Sequence, residues 1–298
     1  MESKDILNKQ TEEQFLAQYD INKYKRPSVT VDMLIFTVTE EDNDNYRLLP
    51  DKVLKLLLIK RGEHPFQGQW ALPGGFVDIN ENLDEAAYRE LKAETNIDHI
   101  YMEQLYTYGD VDRDPRMRVI STAYLSLVDS SLLNIQANDD AVDAKWFNVS
   151  YKLIDEVRIT KENGYIVERR FQLNLNHDNC KLSAMIKQSK QVEGRTKQEK
   201  TEIVEVEGIA FDHAKIIAYS IGRLRNKIEY TDIAFHLMPE RFTLTQLQQV
   251  YETILDTQLL KANFRRKTSG MVIETQDYAE NGGHRPSKLF LFNPDWEN

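Results

Sequence analysis

Between Gly75 and Ile97 the chain reads GFVDINENLDEAAYRELKAETNI, and the spacing of its glycine, acids and apolar residues leaves few folds open. Leu83, Ala87 and Leu91 recur every four residues, so Leu83 to Thr95 predicts a helix with one apolar face. Asn82, followed three residues later by Glu85, has capping-box spacing and would start that helix. Glu90 and Glu94 stand one turn apart and reach the same point. Two hard carboxylates on rigid backbone suit Mg²⁺ or Mn²⁺ bridging two phosphates. Such an ion would neutralise pyrophosphate charge and activate a bound water. Arg89 is placed to orient a glutamate by a charged hydrogen bond. Upstream, Leu72-Pro73-Gly74-Gly75 predicts a turn where glycine lets backbone approach phosphate and metal. A glutamate pair alone would read as an ordinary solvated amphipathic helix.

The whole run resembles the box of the Nudix family, G-x5-E-x7-R-E-U-x-E-E-x-G-U, where U is a bulky aliphatic residue. It supplies Gly75, Glu81, Arg89, Glu90, Leu91, Glu94 and Ile97, and Trp70 to Phe76 also fits. The resemblance implies a nucleoside-diphosphate pocket. Its catalytic-type residues would be Glu81, Arg89, Glu90 and Glu94, with Glu90 and Glu94 as metal ligands. Two positions depart. Asn96 stands for glycine at a helix end that wants a left-handed residue, which asparagine tolerates. Ala93 stands for a glutamate, so divalent affinity and turnover are expected to fall.

At 298 residues there is chain for two domains or three. No apolar run approaches membrane-spanning length and no signal-peptide pattern opens the chain. Cys180 is the sole cysteine, which excludes an internal disulfide and makes a reducing cytoplasm the expected home. A net charge of −10 argues by itself against nucleic acid. The charge is uneven, however. From His213 onward 11 Lys and Arg face 10 Asp and Glu, leaving 27 against 38 in the rest, so an acidic first part precedes a locally basic tail.

Residues 1–25 predict a polar arm or short helix. Residues 26–150 alternate strands (Ser28 to Val38, Val53 to Lys60, Glu103 to Tyr108, Arg118 to Val128, Ala144 to Phe147) with the box helix. That order predicts an α/β fold, an α/β/α sandwich. Residues 151–212 read as a β-rich extension of unassigned role. Tyr165 to Asn176 and Glu202 to Ile209 alternate like strands, and the charged, aperiodic Lys187 to Lys200 reads as a loop.

Residues 213–298 form the C-terminal unit. A helical pattern runs from Ala214 to Asn226. Thr243 and Gln246 have capping-box spacing, Phe242 and Leu247 staple spacing, and Leu247, Val250, Tyr251 and Ile254 form a stripe. A second helix from about Leu259 to Ser269 carries Lys261, Asn263, Arg265, Arg266 and Lys267 around one apolar anchor, Phe264. Two strands, Met271 to Gln276 and Leu289 to Phe292, flank a tip containing His284 and Arg285. Helix, turn, basic helix and hairpin is the order of a winged helix-turn-helix domain. Its second helix would enter the major groove, Asn263 could read adenine, and the hairpin would touch backbone. The blander readings are a small helical domain with a solvated basic helix, or a protein-binding winged helix.

Taken together the chain resembles the Nudix-related transcriptional regulators of bacterial NAD metabolism. The resemblance is carried by Tyr24 to Asp32, the box, Tyr106 to Ser121, Ala210 to Ile217, Asn263 to Arg266 and Gly283 to Pro286. It implies a homodimer that binds a DNA operator and is released by ADP-ribose or a related nucleoside diphosphate. It also implies ligand contacts from Arg61, Gly74, Gly75, Asp112, Arg113 and Arg118, with Arg113 and Arg118 on phosphate and Asp112 on ribose. The degenerate box suits a sensor. The competing expectation is an ADP-ribose pyrophosphatase dependent on Mg²⁺ or Mn²⁺, whose tail serves dimerisation.

Overall fold

The computed structural model describes residues 11–41, 50–98, 100–133, 144–279 and 286–297. Its centre is one large mixed sheet. The strands are β1 (Ser28–Glu41), β2 (Asp51–Lys60), β3 (Trp70–Ala71), β4 (Gly74–Phe76), β5 (Tyr101–Tyr108), β6 (Val119–Asp129), β7 (Ala144–Lys161), β8 (Gly164–His177), β9 (Cys180–Glu193) and β10 (Thr196–Glu207). Their spatial order is β10-β9-β8-β7-β2-β1-β6-β5, with β3 on β2 and β4 on β1. β1 and β6 pair in parallel, from Ser28 opposite Val119 to Val38 opposite Asp129.

β1 lies near the middle and is buried on both faces, which is why its sequence is a nearly continuous apolar run. Val31, Met33 and Ile35 face one layer, where Ala86, Ala87 and Leu91 of helix α2 (Leu83–Thr95) cover them. Leu34, Phe36 and Val38 face the other, with Ile216, Ile217 and Ile221 of α3 (His213–Lys227). Each such side chain, fully buried, is worth roughly 1.5–3 kcal/mol. Helices on both faces make the expected α/β/α sandwich. α3, which opens the expected C-terminal unit, packs on β9, β10 and the next helix, so it touches both the sheet and the C-terminal unit.

The extension is a four-stranded antiparallel meander, β7 to β10, that prolongs the sheet. Lys187 to Lys200 is therefore not a loop. Lys187–Glu193 completes β9, and Thr196 starts β10 after a turn at Gly194, whose φ is +55°. Ladder bonds on both sides of β9 hold these polar residues, so no apolar alternation marks them. The arm contains α1 (Glu12–Gln18), capped by Thr11, with no residue buried.

The C-terminal unit has α4 (Leu244–Leu255), α5 (Lys261–Thr268) and the hairpin β11 (Val272–Ala279) with β12 (Ser287–Phe292). Thr243 and Gln246 form the expected capping box at 3.2 and 2.9 Å, and Phe242, Leu247, Val250, Tyr251 and Ile254 are all buried. Phe242 exchanges two backbone hydrogen bonds with Phe290, clamping the hairpin to the start of α4. No helix among the described residues is long and apolar enough to cross a membrane.

Candidate functional site

The box helix is held as its spacing demands. Asn82 accepts from the Glu85 amide at 3.0 Å and Glu85 accepts from the Asn82 amide at 2.8 Å. At the far end Asn96 is left-handed, φ 54° and ψ 25°. Arg89 is the hub. Its guanidinium donates to Glu81 Oε1 at 2.6 Å and Oε2 at 3.1 Å, to the Phe76 carbonyl at 3.1 Å, and to Glu90 Oε1. These bonds hold the Glu81 carboxyl below its usual range and the guanidinium above its own. A Cβ on Gly74 would collide with the Val31 backbone carbonyl, so glycine is required there, whereas one on Gly75 would displace only the end of the Glu90 side chain.

Glu90 and Glu94 share a face as expected, but their surroundings differ. Glu90 is held by Arg89, whereas burial, and then the charge of Glu90, push the Glu94 carboxyl up. Ala93 is exposed and adds no ligand. Among the described residues no group of three or more His, Cys, Asp or Glu is placed to hold an ion. Mg²⁺ is usually held by one or two carboxylates together with waters and substrate phosphates, so Glu90 and Glu94, with Glu90 also paired to Arg89, would hold an ion only alongside a bound diphosphate.

Behind the glycines lies a cavity of about 170 Å³. Of the expected ligand residues, Arg61, Gly74, Gly75 and Arg113 line it. Asp112 is exposed and Arg118 spends its guanidinium on the Gly109 and Asp110 carbonyls, 2.7 and 2.9 Å away; neither lines the cavity. Arg113 is nearly inaccessible. It donates to Asp212 Oδ1 and Oδ2 at 2.8 and 3.1 Å and to Asp32 Oδ2 at 3.3 Å, and Ser121 also donates to Asp32. Burial works against its charge, but the two carboxylates outweigh that and raise its pKa. Arg113 thus reaches the cavity wall with its guanidinium held by two carboxylates.

The cavity also gathers residues the sequence reading did not select: Asp32, Arg116, Phe211 and His213. His213 Nδ1 accepts from the Leu72 amide at 2.9 Å, and burial keeps this imidazole below its usual pKa. Arg116 pairs with Asp114 at 2.8 and 3.0 Å. The only sequence trace of Phe211 and His213 is the Ala210 to Ile217 stretch, because nothing in spacing relates them to glycines 136 to 139 positions earlier. A larger cleft of about 620 Å³ lies between β2, β7 and α4, at the seam of the two units.

On the C-terminal unit Lys261, Asn263, Arg265, Arg266 and Lys267 are exposed while Phe264 and Thr268 anchor α5. Lys267 is turned back, paired with Glu229 at 2.8 Å. Arg265 lines a groove between α5 and the hairpin, with Thr245 and Lys288. His284 and Arg285 lie outside the described residues.

A model of the NUDIX domain matches residues 42–168, and a model of the NrtR DNA-binding winged helix domain matches residues 234–292. The chain is 32% identical over 290 residues to the ADPR responsive transcriptional repressor NtrR of Acinetobacter baylyi, covering 96% of this chain and 90% of that protein. It is 36% identical over 149 residues to an ADP-ribose pyrophosphatase of Methanocaldococcus jannaschii, 49% of this chain and 78% of that protein. Among solved structures it is similar to a MutT/nudix family protein from Enterococcus faecalis, with TM-score 0.65, 27% identity, and 95% and 94% of the two chains covered. Shewanella oneidensis NrtR complexed with a 27mer DNA gives TM-score 0.60 and 26% identity over 90% and 94%.

Proposed function

The chain belongs to the NrtR family of Nudix-related regulators, and on that premise we propose that it is an ADP-ribose-responsive transcriptional repressor of NAD-metabolism genes. One observation carries this reading: an acidic protein presents an exposed helix with Lys261, Arg265 and Arg266 beside a hairpin, in a domain matched by a DNA-binding winged helix. Those cations, with Asn263, His284 and Arg285, meet the operator; Lys267 joins them once it leaves Glu229. The ADP-ribose-responsive relative supports ADP-ribose as the signal, taken in the cavity beside Gly74, Gly75 and Arg61. The working unit is a homodimer, with the chain divided into arm, Nudix sandwich, β extension and winged helix, and α3 as the joint.

The test is fluorescence anisotropy on duplexes selected from a random pool by the full chain, with and without ADP-ribose. Specific binding that collapses with ligand is expected. Each phosphate contact should add about −0.9 to the slope of log K against log salt. No specific duplex in either condition would sink the reading.

A second reading, an ADP-ribose pyrophosphatase, is favoured by Glu90 and Glu94, which keep one face of α2 one turn apart. It expects Mg²⁺- or Mn²⁺-dependent release of AMP that Glu94→Gln eliminates. Turnover surviving in that variant would point to another site.

A further inference from the structure

Phe211 lies far outside the box region, in the segment that leads from β10 into α3. Its φ is +53°, a left-handed conformation that bulky residues rarely adopt and that surrounding structure must impose. That structure is visible on both sides of it. The Trp70 amide donates to the Gly208 carbonyl at 2.8 Å, and the Ala210 amide to the Trp70 carbonyl at 2.8 Å. Asp212 takes the Arg113 guanidinium, and His213 takes the Leu72 amide. Pinned so, the half-buried Phe211 ring forms part of the cavity wall. The Arg61 guanidinium sits 4.7 Å from its centroid and that of Arg116 5.9 Å, and the Phe66 ring packs at 4.7 Å. Phe66 is itself left-handed, with φ +62°.

An aromatic ring with two guanidinium groups suits a ligand that joins a flat base to a diphosphate, since bases stack on rings and guanidinium forks match phosphate oxygens. The cavity, about 170 Å³, is smaller than the roughly 300 Å³ at which small-molecule sites usually begin. Such a ligand therefore enters only by moving side chains of the wall.

We propose that Phe211 is a ligand-contacting residue: a nucleoside diphosphate in this cavity stacks its base on the Phe211 ring while Arg61 swings from that ring to the phosphates, and Arg116 follows once its forked bond to Asp114 opens. The root of the DNA-binding unit thus supplies one wall of the Nudix pocket. The choice of ligand class rests on the regulator reading. Two ion pairs stand ready to carry a displacement of this wall into α3: Arg113 with Asp212, and Asp110 with Lys215 at 2.7 Å.

The experiment is calorimetric titration of the full chain with ADP-ribose, for the wild type, Phe211→Ala and Phe211→Trp. Phe211→Ala should weaken binding by about tenfold to a hundredfold, the usual loss of one base–aromatic stack, and Phe211→Trp should restore it. Unchanged affinity in Phe211→Ala overturns the proposal. Equal loss in Phe211→Trp also overturns it, because the ring then serves only to pack the wall. A wild-type chain that binds a selected duplex but no ADP-ribose overturns the proposal and leaves DNA binding standing. Phe211-dependent ADP-ribose binding by a chain that binds no specific duplex supports it and removes the regulator reading instead.

Discussion

Helices α2 and α5 are both densely charged, yet they use charge in opposite ways. On α2 the charges answer one another: Arg89 joins Glu81, Glu90 and the Phe76 carbonyl into a closed set. On α5 no described residue pairs with Lys261, Arg265 or Arg266. The difference teaches what each surface awaits. Preorganised, mutually satisfied charge holds a small polar site in shape. Exposed cations without a partner among the described residues suit an outside polyanion, whose released counterions favour the contact.

The contrast is broken most severely on α5. Replacing Arg265 and Arg266 together by alanine should cost at least a hundredfold in operator affinity near physiological salt, and reduce the salt slope by about 2 if both reach phosphates. ADP-ribose affinity should not change. Anisotropy titrations at several salt concentrations check this, and an unaltered operator affinity would move the recognition surface elsewhere.

The next largest effect belongs to the joint between the two regions. Arg113→Ala leaves Asp32 and Asp212 facing each other without their shared cation, and breaking a buried pair costs about 3–5 kcal/mol. Urea unfolding reads this directly, and a loss below about 1 kcal/mol would show that water screens the triad.

Thr243→Ala removes the cap of α4, the helix on which α5 packs, and should cost about 1 kcal/mol. The same change at Asn82 tests whether the α2 cap, more exposed, is worth less. The smallest effect concerns Glu94. Its folded pKa lies above the ordinary carboxylate value, so between those two pH values the folded state holds more protons and stability falls as pH rises. Without added metal, Glu94→Gln should flatten that decline and slightly raise the melting temperature at neutral pH. A steeper decline in the variant would reverse the sign of the argument.

Local chemistry was readable wherever a short stretch of chain decides its own structure. The capping boxes of α2 and α4, the left-handed Asn96, the α4 stripe and the order of the winged helix depend on residues within a few positions of one another, and all stand where the pattern puts them. β9 beyond Lys187 was not readable, because its conformation comes from ladders with β8 and β10 rather than from its own alternation. The cavity divides in the same way. Its glycines announce themselves in the box, whereas Arg113 and Arg118 share a loop and a residue type but only one of them lines the cavity. Asp32 meets Phe211 and His213 across a separation longer than the sandwich segment itself. By itself, then, the sequence determined the box helix, the fold class and the basic helix, since periodicity, capping and charge act over one or two turns. Only the tertiary structure decided which arginine is sealed in a joint, which ring walls the pocket, and that α3 touches both the sheet and the C-terminal unit, because those outcomes depend on burial and pairing between residues that the chain keeps far apart.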